Sequence, residues 1–164
     1  MATLQQLANE QRVLLLLDVA TVPDVVGWAD STIEELATPS IELIDVSMGG
    51  SQPKKSFAAL VAVLAEHTDD IPSTMSAFGR LGPLVRDGRI DAVTAIKRCY
   101  AHLRSENLLY ADPFMGFHSL STDIAMMEDG YFGEEKLSEI RADLLSELKE
   151  MAHDAWVAGK QVRL

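Results

Sequence analysis

The sequence predicts an all-α protein, either a single-domain bundle or a set of stacked helical hairpins, with about seven to eight helices. Three observations predict it. Apolar residues recur every three or four positions along most of the chain. The joints between these runs carry helix-start and helix-stop residues, with Ser, Thr or Asp before a run and Gly or Pro after it. No stretch keeps the strict apolar/polar alternation of a half-buried strand.

Leu4, Leu7 and Ala8 open the first stripe, which Leu14 and Leu15 continue. Thr21-Val22-Pro23-Asp24 then reads as an N-cap with an acid three residues on and proline in the first turn. The helix it starts should run to about Leu36, with Val25, Trp28, Ala29, Ile33 and Leu36 facing inward. Thr38-Pro39-Ser40-Ile41-Glu42 repeats the start signal. The short helix that follows should bury Ile41, Ile44 and Met48 and stop at Gly49-Gly50. Phe57, Leu60, Val61 and Leu64 predict a fourth helix over about Ser56–His67.

The next stretch opens at Pro72, and Gly79, Gly82 and Pro83 interrupt it. Proline inside a helix costs about 3 kcal/mol, so a break or kink is expected there. Asp91 to about Arg104 is a helix with Ala92, Ile96, Cys99 and Leu103 on one side. Asp112-Pro113 begins a segment rich in aromatics and methionine that runs to Gly130. The last helix, about Glu134–Ala158, is the longest and most amphipathic. An internal echo recurs at an offset of 67 residues, where Asp24, Val26, Leu36, Asp45 and Met48 reappear as Asp91, Val93, Leu103, Asp112 and Met115. A duplicated helical hairpin would produce such an echo.

A chain of 164 residues fits a single domain over 1–164. Its apolar fraction of 48% and charged fraction of 24% are those of a globular protein. One cysteine, Cys99, rules out an intramolecular disulfide, and a secreted domain more often carries paired cysteines. The N-terminal residues lack the positive start and apolar run of a signal peptide. No segment approaches the roughly 18 apolar residues of a membrane span. A cytoplasmic location is therefore the expectation, with no membrane partner.

The net charge of −11 opposes attraction to nucleic acid or anionic lipid. It is unevenly spread: residues 1–79 carry −8, residues 80–104 carry +4 and residues 105–164 carry −7. Arg80, Arg86, Arg89, Lys97, Arg98 and Arg104 form the basic island. In so acidic a chain they are expected to pair with its own carboxylates.

Along the last helix Glu135, Glu139, Asp143, Glu147, Glu150 and Asp154 recur at spacings of 3 or 4, so they share a strip about 120° wide. Leu137, Ile140, Leu144, Leu148 and Met151 fall on the other side. Like charges four apart destabilise a helix by roughly 0.2–0.5 kcal/mol per pair. The strip reads either as a solvated face or as a docking ridge for a basic protein partner. Glu150-Met-Ala-His153 has the spacing of one half of a dimetal motif, but a second copy is required and none is present. No metal or cofactor is expected.

The segment from Asp112 through His118 and Asp123 to Glu128 and Tyr131-Phe132 is a second candidate. It gathers an imidazole, carboxylates and flexible apolar groups, the material of a ligand pocket. In an enzyme His118 would be the acid/base, with Asp123 or Glu128 orienting it. In a simple helical domain Phe114, Phe117, Met126 and Met127 would be core instead. Cys99 shares the stripe of Ile96 and Leu103 and reads as a small buried hydrophobe.

Trp28-Ala-Asp-Ser-Thr-Ile33 through Leu36, then Pro39 and Leu43-Ile-Asp-Val-Ser47, resembles a stretch of small all-α bacterial proteins, some of them similar to immunity proteins of toxin systems. The resemblance covers about an eighth of the chain. It implies a small, acidic, cytoplasmic inhibitor and brings no catalytic residue with it. The sequence thus favours a protein-binding domain over an enzyme or ligand binder built on residues 112–132.

Overall fold

A computed structural model describes residues 2–66 and 68–157, with the side chains of 155–157 left aside. The described residues are all-α. They form nine α-helices: α1 (Leu4–Leu16), α2 (Val22–Glu35), α3 (Ile41–Met48), α4 (Lys54–Leu64), α5 (Asp70–Gly79), α6 (Leu81–Arg86), α7 (Ala92–Ser105), α8 (Met115–Glu128) and α9 (Glu135–Val157). Short 3-10 turns follow α3 and precede α8. Helix α4 begins two residues before the expected Ser56 and ends at Leu64, short of the expected end near His67, which lies outside the described residues as Ala158 does.

Helix starts follow the cap chemistry. Thr3 and Thr21 each complete a capping box, with Gln6 and Asp24 as the reciprocal partners. Ser40 and Asp91 cap α3 and α7 through their side-chain oxygens. The hydrogen bonds from Thr21 hold the Asp24 carboxyl below its ordinary range, and those from Thr94 do the same for Asp91. The expected interruption falls at Arg80, between α5 and α6.

The described residues divide into two compact units, one up to Ala77 and the other running from Phe78 to Val157. In the first, α1 packs on α4, α2 on α3 and α3 on α4. Its core holds Ala8, Leu15, Val25, Ala29, Leu43, Val46, Phe57 and Val61, with Trp28 and Ile33 partly buried against it. In the second unit α6 packs on α9, α7 on α8 and α8 on α9. Its interior contains Phe78, Ile96, Cys99, Leu103, Phe114, Phe117, Ile140, Leu144 and Leu148. Burial pushes the Cys99 thiol far above its ordinary range, so it behaves as a hydrophobe and not as a nucleophile. Gly79 lets its backbone approach that of Ala152 on α9 more closely than any side-chain carbon would allow. Arg141 of α9 donates to the carbonyl of Arg86 at 3.1 Å, placing a cation at the C-terminal end of α6.

Three of the helix packings recur between the units, α1 on α4 as α6 on α9, α2 on α3 as α7 on α8, and α3 on α4 as α8 on α9, while α7 also packs on α9. The joint between α1 and α2 recurs between α6 and α7 at an offset of 70 residues. Asp18 and Gly88 both take positive φ, 56° and 72°. Val19 and Ala20 donate to the carbonyl of Leu14, and Arg89 and Ile90 likewise donate to that of Leu84. Thr21 and Asp91 then cap helices of 14 residues each. The 67-residue echo is therefore not the structural register. It pairs Asp24, inside the first turn of α2, with Asp91, which stands ahead of α7.

Four apolar expectations are corrected. In α3 Leu43 and Val46 are buried, whereas Ile41 is 70% exposed, Met48 78% exposed and Ile44 exposed. The eight residues Ile-Glu-Leu-Ile-Asp-Val-Ser-Met carry apolar side chains on both arcs, so period alone cannot choose the inward one. Contact with α2 and α4 does. Leu36 is exposed because α2 stops at Glu35 and the chain turns extended there. Leu137, in the first turn of α9, is exposed too, ahead of the buried stripe Ile140, Leu144, Leu148 and Met151. Met126 is exposed and Met127 half-buried, since α8 buries Phe117, Leu120 and Ile124 instead.

Candidate functional site

Both sequence-derived candidates lie in the second unit, on α8 and α9. Helix α8 follows the turn Asp112–Phe114 and anchors through Phe114 and Phe117. Their rings meet Phe78 edge-on, with centroids 5.6 and 5.2 Å from it. This anchor turns His118 outward.

His118 is exposed and lies against two tyrosines, stacked on Tyr100 with centroids 6.4 Å apart and tilted against Tyr110 at 6.2 Å. Among the described residues no carboxylate holds its imidazole. Asp123, half-buried, lies 3.9 Å from Lys136. Glu128 is ion-paired with Lys97 across from α7 to α8. The three residues that would form an acid/base site thus face three different partners. Five positions between His118 and Asp123 turn them about 140° apart on the helix, which accounts for the separation. The tyrosines were not legible from spacing, because Tyr100 and Tyr110 come from α7 and the loop after it.

The ridge on α9 is exposed at five of its six carboxylates. Glu135, Glu139, Asp143, Glu150 and Asp154 are exposed, while Glu147 is half-buried. At its start Lys136 donates to Glu139 at 2.8 Å and sits 5.3 Å from the Phe132 ring centroid. The hydrogen bond to Glu139 holds the Lys136 ammonium above its ordinary range. Farther along, Glu150 and His153 share a shallow depression with Ser146, Lys149 and Asp154. No cluster of three or more metal-ligating side chains occurs among the described residues.

Glu147 differs from its neighbours. Its carboxylate lies over Gly116 of α8, where a side-chain carbon would overlap it. Burial raises its proton affinity first, and the nearby charges of Glu150 and Asp143 raise it further. A carboxyl raised in the folded state binds its proton more tightly there than in the unfolded chain. The ionised form therefore weakens folding above that pKa, and the penalty disappears as pH falls below the unfolded value. Glu147→Gln should raise the melting temperature at neutral pH, and the gain should shrink toward zero as the buffer is acidified through the carboxylate range. Thermal melts across that range would show it; a loss of stability at neutral pH would contradict it.

From the basic island, Lys97 pairs with Glu128, and Arg86 lies 3.8 Å from Asp87 on an exposed surface. No helix among the described residues is long and apolar enough to cross a membrane. Compared with known protein families, curated proteins and solved structures, the chain matches none.

Proposed function

We propose that the protein is an acidic binding domain that takes a basic protein partner along the exposed carboxylates of α9, in the manner of an immunity-type inhibitor. The observation that carries this reading is the exposure of Glu135, Glu139, Asp143, Glu150 and Asp154, broken only at the half-buried Glu147, above a buried apolar stripe. Five carboxylates held on one rigid helix repel one another, and a cationic partner would relieve that repulsion. A small α-helical enzyme on residues 112–132 is less well supported, because His118, Asp123 and Glu128 do not converge. The resemblance of residues 28–47 to immunity-like proteins points the same way as the charge.

Affinity capture from cell extract at low salt, with the native chain and with Asp143→Lys/Glu150→Lys, tests the reading. Both positions are exposed, so the doublet should fold normally. The expected result is a basic partner retained by the native chain and lost by the doublet. A partner held equally by both would reject the α9 ridge as its site.

A further inference from the structure

The first unit carries a surface that the α9 ridge does not explain. Ile41, Ile44 and Met48 lie three and four positions apart on α3, so they project on one arc, opposite the buried Leu43 and Val46. Single exposed apolar residues are ordinary, but here three of them line one short helix. Leu36, in the connection from α2, is exposed as well.

The charge around this arc has one sign. Residues 13–53 contain seven carboxylates, namely Asp18, Asp24, Asp30, Glu34, Glu35, Glu42 and Asp45, and no Lys, Arg or His; Asp18, in the joint before α2, is ion-paired with Lys54, which leaves the six on α2 and α3. Asp45, four positions after Ile41, is exposed at the edge of this arc. Asp30 on α2 accepts a hydrogen bond from Ser47 of α3, which fixes where α2 runs beside the apolar arc. Glu34, one turn on from Asp30, extends that acidic row along α2 and is exposed. The three cations found within residues 2–66, Arg12, Lys54 and Lys55, sit together elsewhere, in a depression between α1 and α4. Nothing cationic on α2 or α3 offsets the carboxylates.

We propose that the outward face of α2 and α3 is a docking surface for a basic amphipathic helix, with Ile41, Ile44 and Met48 receiving its apolar stripe and Asp30, Glu34 and Asp45 receiving its Lys and Arg side chains. Charge complementarity selects this occupant. Anionic membranes and nucleic acid are repelled by the same carboxylates, and a second copy of the face would set acid against acid. A helix with an i, i+3, i+4, i+7 stripe matches the spacing of the receiving residues. The proposal stands on the first unit and does not require the α9 ridge.

The test uses the full chain and a fluorescent Leu/Lys peptide with that stripe, beside a peptide of the same composition in scrambled order. The native chain should bind the patterned peptide at least tenfold more tightly than the scrambled one. Ile41→Asp/Met48→Asp should weaken the patterned peptide by tenfold or more. Asp30→Asn/Glu34→Gln/Asp45→Asn should weaken it and flatten its dependence on salt. Asp143→Lys/Glu150→Lys on α9 should leave it within about twofold. Helical content and melting temperature of each variant, measured alongside, should match the native chain, since all these side chains are exposed. Equal binding of both peptides, or loss of binding only in the α9 doublet, overturns the proposal. So does light scattering that shows a dimer which Met48→Asp dissociates, because the occupant would then be a second copy.

Discussion

Phe78→Ala should destabilise the second unit by about 3–5 kcal/mol, the usual range for removing a buried aromatic ring. Phe78 is completely buried near the end of α5, and three rings converge on it edge-on: Phe114, Phe117 and His102, the last with its centroid 6.1 Å away. Edge-to-face pairs contribute about 0.5–1.5 kcal/mol each beyond the area they bury, so one truncation removes several contacts at once. These rings join α5, α7 and α8, and close packing leaves no easy collapse into the space. Urea denaturation followed by amide exchange in α7 and α8 would measure the loss. Phe78→Leu should cost clearly less, because it retains much of the volume. A change below about 1 kcal/mol for the alanine variant would mean the ring cluster is not the centre of that unit.

In the first unit the expected contrast lies within one helix. Leu43→Ala should cost about 2–5 kcal/mol, as a fully buried leucine does when the cavity cannot close. Ile41→Ala, two residues earlier, should change stability by no more than about 0.5 kcal/mol, since its side chain already stands in water. Leu43 packs in the core with Val25, Ala29, Phe57 and Val61, drawn from α2 and α4. Ile41 keeps 70% of its surface exposed. Equilibrium denaturation of the two variants, monitored through Trp28 fluorescence, would compare them directly. Equal costs at the two positions would mean that α3 is rotated from the orientation described here. A costly Ile41→Ala would also remove the apolar arc on which peptide docking depends.

Much of the fold is readable before any packing is known, because its signals are local. A threonine or aspartate oxygen that reaches an amide three residues on marks a helix start wherever the chain is placed, which is why Thr21 and Asp91 are legible. Proline and glycine around Gly79–Pro83 mark the break at Arg80 for the same reason. Long stripes are legible as well: Ile140, Leu144, Leu148 and Met151 are buried as their spacing predicts. The acidic strip opposite them follows from the same arithmetic. Glu147 is the exception, because Gly116 of another helix gives its carboxylate a place to lie.

Sequence by itself determined that the chain is helical, where most helices begin, and that one face of α9 is carboxylate and the other apolar. Helical period and capping are interactions between residues within a turn of one another, so they are written in the order of the side chains. Only the tertiary structure decided which arc of α3 faces inward, that His118 meets tyrosines while Asp123 and Glu128 meet lysines, and that the joint between α1 and α2 recurs 70 residues on between α6 and α7. Those outcomes depend on which helix lies beside which. Where a short helix is apolar on both sides, that neighbour alone separates core from exposed surface.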